Sequence, residues 1–205
     1  MIDINTISIL KFQQLTNAIK RHGDNEYELH MDLHEIFGGV PRSESKEWTV
    51  NKSNKELAKY NFNDTIDFNG EWLKEFDHNG RHFKVKHLIS EWSIGDFASM
   101  SVLIKAPDDV INQLHLIMAQ LCQDERTLEE RAEDFQNTLP ASLAYPIGVF
   151  FCELLNRFQS DIPNFSAVVE NLHGSVISGG GMMYLSIWVR LKNLIKRIRG
   201  VQSKS

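Results

Sequence analysis

The sequence predicts a mainly α-helical protein of the α+β class, with one β-hairpin between an N-terminal helical pair and a C-terminal helical half. Apolar residues recur at helical spacing through most of the 205 residues, whereas one stretch at about residues 72–88 alternates around Asn79-Gly80. We expect a single helical domain over residues 1–178. A glycine hinge and a basic amphipathic C-terminal helix are predicted over residues 179–205.

The hairpin is the most sharply predicted element. Asn79-Gly80 favours a type I′ turn, which needs positive φ at both central residues. Folding about this turn places Phe76 opposite Phe83 on one face. The other face pairs Asp77 with His82, and a shift of one residue would separate both pairs. The rest of the predicted register pairs Glu75 with Lys84, His78 with Arg81, Lys74 with Val85 and Trp72 with His87. An isolated hairpin is marginal in water, so we expect it to pack between the helical halves and join them.

Two apolar stripes predict the N-terminal helices. A capping side chain precedes the first stripe, and glycine follows both stripes, as is typical of helix ends. The predicted bounds are about 6–21 with Asn5 or Thr6 as N-cap and Gly23 as the stop, and about 25–37 before Gly38-Gly39. Residues 40–70 are more polar and predict one short helix through Lys55 to Tyr60.

The C-terminal half is predicted to be helical almost throughout. Ser93 and Asp96 form a weak capping box that opens its first helix. A second helix begins at Pro107, with a stripe of Val110, Leu114, Ile117, Met118 and Leu121. The charged segment that follows has a narrow inner edge of Leu128, Ala132 and Phe135. Thr138 and Pro140 are predicted to open the most apolar helix, at the centre of the core, and a short helix follows near residues 165–172.

Charge is unevenly distributed along the chain. The formal net charge of −5 argues against a dedicated nucleic-acid-binding protein. Residues 190–205 contain six basic residues and no acidic one, so residues 1–189 hold 16 bases against 27 acids, a net charge of −11. We find no signal-peptide pattern and no apolar stretch long enough to span a membrane, and we expect a soluble intracellular protein. Cys122 and Cys152 lie in apolar patterns and are expected to be buried free thiols.

Four clusters could carry chemistry, and each has a stronger structural interpretation. His30 and His34 have metal-site spacing without a third ligand, which predicts solvated residues at a helix edge. Two further clusters each lack a residue that their chemistry requires. His78, His82 and His87 beside Asp77 could act as a general base, but no nucleophile accompanies them. Gly179 to Gly181 could form a phosphate-binding loop, but the lysine of such loops is missing. The acidic run 124–134 alternates with arginine and predicts a solvated helix face. We therefore expect no enzyme, and no catalytic, metal or cofactor site.

The predicted partner-binding surface is the apolar face of the C-terminal helix. It consists of Tyr184, Ile187, Trp188, Leu191, Leu194, Ile195 and Ile198. The basic residues occupy the remaining face and suit an anionic lipid surface, nucleic acid or an acidic protein. In the alternative, the apolar face docks on the protein's own core. A protein groove is the preferred partner, because the glycine hinge would let the helix detach and present Trp188.

Five short segments occur in an order that resembles a known family. They are Phe12 to Leu15, Asn79 to Phe83, Leu114 to Leu121, Glu130 to Phe135, and Phe150-Phe151. In these segments the sequence is similar to small proteins encoded among the tail and virion genes of tailed bacteriophages, including crAss-like phages. The resemblance covers about residues 5–160 and leaves out the glycine hinge and the C-terminal helix.

The resemblance implies a tail assembly chaperone, which holds the long, apolar tape-measure protein until tail tube subunits polymerise around it. Such a protein binds an aggregation-prone tape-measure or tail tube partner and carries no catalytic residues. The alternative is a structural virion protein, such as a connector, cargo or tail component, that assembles through its C-terminal helix. The expected location is the host cytoplasm for a chaperone and the virion for the alternative. The sequence leaves open whether the protein forms a homo-oligomer.

Overall fold

The computed structural model describes residues 2–3, 6–23, 25–61, 73–88, 91–103 and 107–161. The described chain is mostly helical with one antiparallel hairpin, so the predicted fold class is confirmed. Its elements are β1 (Ile2–Asp3), α1 (Ile9–His22), α2 (Glu26–Gly38), α3 (Arg42–Ser45), α4 (Val50–Leu57), β2 (Tyr60–Asn61), β3 (Glu75–His78), β4 (Arg81–Lys84), α5 (Ile94–Leu103), α6 (Pro107–Asn112), α7 (Leu114–Leu121), α8 (Leu128–Thr138) and α9 (Ala141–Asp161). The helix predicted near residues 165–172, the glycine hinge and the C-terminal helix lie outside the described residues.

Helix α1 begins later than the sequence predicts. Ser8, rather than Asn5 or Thr6, is the N-cap, and its hydroxyl accepts a hydrogen bond from the amide three residues on at 3.4 Å. Backbone hydrogen bonds of 3.0 and 2.8 Å pair residues 7–9 with residues 139–141, where α8 meets α9. This pairing holds the chain extended up to Ser8, so the start of the helix depends on a distant segment.

Helix α2 begins and ends where the sequence predicts. The Asn25 side chain accepts a hydrogen bond from the Glu28 amide at 3.3 Å and caps the first turn. Gly39 follows the last residue of the helix with φ 64°, in the left-handed region that glycine enters without a Cβ clash. Local signals were sufficient at both ends.

The polar segment after α2 contains more structure than its composition predicts. The helix predicted through Lys55 to Tyr60 is instead α4 at residues 50–57, preceded by the unpredicted α3. Thr49 starts α4 by accepting a hydrogen bond from the amide of Lys52 at 3.2 Å. Tyr60 lies beyond the helix in β2, where it pairs in parallel with Ile2 of β1. A backbone partner from the start of the chain therefore replaces the predicted helical turn.

The hairpin has the predicted turn and register. Asn79 (φ 49°) and Gly80 (φ 72°) both have positive φ, as a type I′ turn requires. The observed pairs are Glu75–Lys84, Phe76–Phe83, Asp77–His82 and His78–Arg81, and the Val85 amide donates to the Lys74 carbonyl at 2.8 Å. Trp72, predicted opposite His87, lies outside the described residues.

The hairpin packs on the C-terminal half of the molecule. Phe76 and Phe83 are buried and stack with ring centroids 5.5 Å apart. Phe83 also meets the ring of Phe135 from α8 edge to face at 5.2 Å. The backbone amide of Lys86 donates to the carbonyl of Leu121 at the end of α7, at 3.0 Å. The hairpin thus gains the helical support that an isolated pair of strands needs.

Helix α1 joins the two halves. It packs on α2 on one side and on α8 and α9 on the other. The ring of Phe12 meets the ring of Tyr145 from α9 edge to face, with centroids 5.7 Å apart. In the described part of the chain, α1 makes the connection that the sequence assigned to the hairpin.

The long helix predicted from Pro107 is interrupted. Gln113 (φ −103°, ψ 6°) leaves the helical conformation and separates α6 from α7. The side chain of Gln13 from α1 meets this break, where its Nε2 donates to the carbonyls of Ile111 and Asn112 at 2.9 Å each. All five residues of the predicted stripe are nevertheless buried. The stripe identified the buried face, whereas the break is satisfied by a side chain far away in sequence.

Two capping boxes start helices in the C-terminal half. The predicted one precedes α5: the Ser93 amide donates to Asp96 Oδ2 at 3.1 Å, and the Asp96 amide donates to Ser93 Oγ at 3.0 Å. An unpredicted one precedes α8 and joins Thr127 to Glu130 in the same reciprocal way. Sequence spacing alone could have revealed the second box.

Thr138 ends α8 rather than opening α9. Its hydroxyl donates to the carbonyl of Asp134 in the preceding turn at 2.7 Å, which keeps it within α8. The next helix begins at Ala141, directly after Pro140. The inner face of α9 is buried as predicted, with Ala144, Ile147 and Phe151 almost without exposure.

Candidate functional site

The seven predicted partner-binding residues, Tyr184, Ile187, Trp188, Leu191, Leu194, Ile195 and Ile198, lie outside the described residues. Their role therefore stays a prediction. The described residues contain four polar clusters and one exposed patch, which we take in turn.

His34 is buried rather than solvated, so that part of the sequence prediction is wrong. It is 1% exposed, with Nε2 2.8 Å from Ser53 Oγ and Nδ1 3.4 Å from Tyr60 Oη. Burial lowers the pKa of His34, and the neighbouring His30 lowers it further, against the opposing effect of Glu56. A neutral ring can donate from one nitrogen and accept at the other, and so it ties α2 to α4 and β2.

The contact between His34 and Ser53 is also the first contact of a nucleophile–base pair. Here, however, the second ring nitrogen faces a tyrosine hydroxyl, and Trp48 covers the ring edge to face at 4.9 Å. Among the described residues, no group of three or more histidine, cysteine or acidic side chains could hold a metal ion. The arrangement fits a structural hydrogen-bonded histidine better than a reaction centre.

A buried carboxylate organises the N-terminal helices. Asp32 of α2 is 5% exposed and lies 2.7 Å from Nε2 of His22 and 3.6 Å from the guanidinium of Arg21. Arg42 of α3 forms a further ion pair with Asp32 and another with Glu28. The cluster fastens the end of α1 and the start of α3 to α2. Sequence reasoning missed it, because its members come from three separate elements.

The three hairpin histidines do not converge on one site. His82 Nδ1 lies 2.9 Å from Asp77 Oδ1 as an exposed cross-strand pair, as predicted. His87 Nδ1 lies 3.1 Å from the Val85 carbonyl oxygen. His78 Nε2 lies 2.8 Å from the hydroxyl of Thr138 on α8. Burial lowers the pKa of His78, which agrees with a neutral ring used for docking the hairpin.

The charged run 124–134, which extends from the loop before α8 into that helix, is only partly the solvated face that the sequence predicts. Arg131 is buried, and its Nε donates to the Ala119 carbonyl of α7 at 3.1 Å. Arg126 forms ion pairs of 2.8 Å with both Asp124 and Asp134. Although burial opposes it, hydrogen bonding from Arg126 holds the pKa of Asp124 below its ordinary value. The two arginines of this run therefore serve packing.

The cysteines agree with the prediction of buried free thiols. Cys122 and Cys152 are both buried and neither forms a disulfide. Burial raises the pKa of Cys122 to about 12, so its thiol stays protonated at neutral pH and is a poor nucleophile.

An exposed patch surrounds the start of α4. Val50 is 75% exposed and Tyr27 is 55% exposed, and the Tyr27 hydroxyl donates to the Lys46 carbonyl at 3.5 Å. The outer side of α4 carries Lys52 and Lys55, both exposed, and the ammonium of Lys52 lies 4.0 Å from the Trp48 ring centroid. We call Tyr27, Lys46, Val50, Lys52 and Lys55 the α4 surface. The α4 surface thus combines two exposed apolar side chains with three exposed lysines.

No protein-family model, curated protein or solved structure matches the chain. Within the described residues, no helix combines the length and the apolar character needed to cross a bilayer.

Proposed function

We propose that this protein is a non-enzymatic phage tail assembly chaperone or adaptor, which binds an aggregation-prone tape-measure or tail tube partner through its C-terminal segment. The observation that carries the proposal is the amphipathic pattern of Tyr184 to Ile198, seven apolar residues at helical spacing beside a basic face. The five short segments that resemble those of phage tail proteins, and that occur in the same order, support the choice of partner.

The buried ionisable side chains of the described residues contact structural partners. Asp32 meets His22, Arg21 and Arg42, His34 meets two hydroxyls, and Arg131 meets backbone carbonyls. Binding would then bury the apolar face of residues 184–198 in a groove of the partner, while the basic face meets acidic groups around it.

The test is co-expression with a fragment of a tape-measure protein encoded in the same genome. We expect the chain to raise the soluble fraction of that fragment and to co-purify with it. Leu191→Asp with Ile195→Asp should abolish both effects, because each places a charge on the apolar face. Ser186→Asp with Asn193→Asp adds the same charge on the basic face and controls for net charge. It should weaken both effects only partly, because the basic face lies around the contact rather than in its apolar centre. An unchanged solubility of the fragment with the unmodified chain would refute the proposal.

A structural virion protein is the second candidate, since the same amphipathic segment would also serve permanent assembly. Mass spectrometry of purified particles separates the two functions. A chaperone should be absent from finished virions, whereas a connector, cargo or tail component should be present at a constant copy number.

A further inference from the structure

The α4 surface is a positively charged end of the molecule. Residues 42–60 contain five basic and three acidic residues, a net charge of +2 in a chain whose net charge is −5. Neither Lys52 nor Lys55 forms an ion pair with another described residue, and both are exposed on one side of α4. This helix face therefore presents positive charge without an ion-pair partner.

The opposite charge lies on α8. Residues 124–134 contain six acidic and two basic residues, a net charge of −4. Both bases are engaged in the packing described above, and Glu129 and Glu133 remain exposed, one helical turn apart, with no ion pair among the described residues. We call Glu129 and Glu133, with the neighbouring exposed Asn137, the α8 surface.

The two surfaces form no ion pair with each other within one molecule. Among the described residues, Lys52 and Lys55 have no ion-pair partner, and neither do Glu129 and Glu133. Helix α4 packs on α2, α2 packs on α1, and α1 packs on α8. The charges of both surfaces are therefore open to an intermolecular contact.

We propose that the α4 surface of one copy docks on the α8 surface of a second copy, so that the protein associates head to tail. The spacing supports this pairing, because Lys52 and Lys55 are three residues apart and Glu129 and Glu133 four apart, each pair on one side of its helix. Each copy carries one surface of each kind, so head-to-tail contacts generate rings or filaments, whereas the same contact made reciprocally closes a two-fold dimer. This inference does not rest on the proposed function.

Nucleic acid is the less suitable occupant of the α4 surface. Single strands bind where exposed aromatic rings offer stacking faces beside basic residues. The Trp48 ring already has Lys52 above it at 4.0 Å and His34 against it at 4.9 Å, so it offers no free platform. The negative net charge of the whole chain also opposes a polyanion.

The first measurement is sedimentation velocity of the full chain over a range of concentrations. At about 50 mM NaCl the weight-average sedimentation coefficient should rise with concentration, and at about 500 mM NaCl the rise should disappear, because salt screens exposed charges. A coefficient independent of concentration at the lower salt would overturn the proposal, and so would association that salt does not weaken.

The decisive test uses reversed charges. Lys52→Glu with Lys55→Glu makes both surfaces acidic, and Glu129→Lys with Glu133→Lys makes both basic. Each variant alone should therefore self-associate at least about tenfold more weakly than the unmodified chain. An equimolar mixture should recover association, because each surface then meets its opposite on the other variant. A chain that carries all four substitutions should also self-associate.

Recovery in the mixture and in the fourfold variant would show that the single variants are folded. Failure of both to associate would overturn the proposal. Lys74→Glu with Lys84→Glu makes the same change in net charge on the exposed hairpin strands and should leave association unchanged. A labelled single-stranded oligonucleotide of about 20 nucleotides tests the other occupant. If it binds the unmodified chain but not the variant with Lys52→Glu and Lys55→Glu, and if the chain does not self-associate, nucleic acid is the occupant and the proposal is wrong.

Discussion

Different kinds of contact hold the elements together within each of the two helical halves. In the N-terminal half, Asp32 and His34 are buried polar groups whose partners come from neighbouring elements. In the C-terminal half, the central contacts are apolar: Phe83 meets Phe135, and Gly148 of α9 lets Leu114 of α7 approach closely. Polar contacts are directional and fail when one partner is lost, whereas apolar packing depends on volume. The halves should therefore respond differently to substitution, which four measurements can test.

The largest effect is expected from Phe135→Ala in the C-terminal half. Phe135 of α8 is fully buried and packs against the hairpin, so its truncation leaves a cavity beside Phe83. The free energy of unfolding should fall by about 4 kcal/mol, as measured by urea denaturation. Phe135→Leu is the control and should recover more than half of that loss, since volume rather than a specific partner is at stake. Equal losses in the two variants would contradict the apolar description.

Asp32→Asn should be the most damaging isosteric change in the N-terminal half. It removes the negative charge that faces His22, Arg21 and Arg42 while keeping the shape of the side chain. We expect a loss of about 2 kcal/mol in the free energy of unfolding, because His22 and Arg42 each lose a hydrogen bond to a charged acceptor. Glu28→Gln removes the half-exposed partner of the same Arg42 and should cost under about 1 kcal/mol. A larger loss for Glu28→Gln would show that burial does not set the strength of this cluster.

Gly148→Ala tests how closely α7 and α9 are packed. A Cβ atom at this position would lie 2.7 Å from Leu114 Cδ1, well inside van der Waals contact. We expect a loss of about 1–2 kcal/mol in the free energy of unfolding, since a core at crystal-like density resists added volume. Combining Gly148→Ala with Leu114→Val removes the clashing δ-carbons and should cost less than the sum of the two single substitutions. Additive losses would mean that the two residues do not meet.

The smallest effect is the pH dependence carried by His34. Its folded-state pKa lies below the ordinary value of 6.5, because burial disfavours the charged ring and His30 adds to this. The stability that the neutral ring contributes is therefore fully present above pH 6.5 and is lost as pH falls from 6.5 through the folded-state pKa. Urea midpoints at about pH 7.5 and about pH 5.5 should differ less in His34→Gln than in the unmodified chain. An identical difference would assign the pH dependence to other groups, such as His30 and His78, whose pKa values are also lowered.

Much of the fold could be predicted because its signals are local. The Asn79-Gly80 turn, the cap at Asn25 and the stripe through Leu114 each depend on residues within a few positions of one another. The predicted helix bounds were wrong where a segment far away in sequence pairs with the end of the helix. Residues 139–141 delay the start of α1, and β1 takes Tyr60 out of the predicted helix.

The candidate surfaces were less predictable than the fold. The sequence gives the net charge of α4 and α8, but it does not determine whether a particular charged residue is exposed or buried. Arg131 and Glu133 lie in the same charged run, yet Arg131 packs against α7 and Glu133 faces solvent. The prediction that His34 is solvated was likewise wrong, because its ring is enclosed by Ser53 and Tyr60 from later elements.

By itself, the sequence determined the helical fold class, the hairpin with its register, and the apolar faces of the main helices. It could do so because turns, caps and periodic stripes act through neighbours along the chain. The tertiary structure alone decided that α1 joins the halves, that Gln13 satisfies the break at Gln113, and that Asp32 gathers His22, Arg21 and Arg42. Those contacts unite residues from separate elements, and only the packed arrangement of the helices brings such residues within hydrogen-bonding distance.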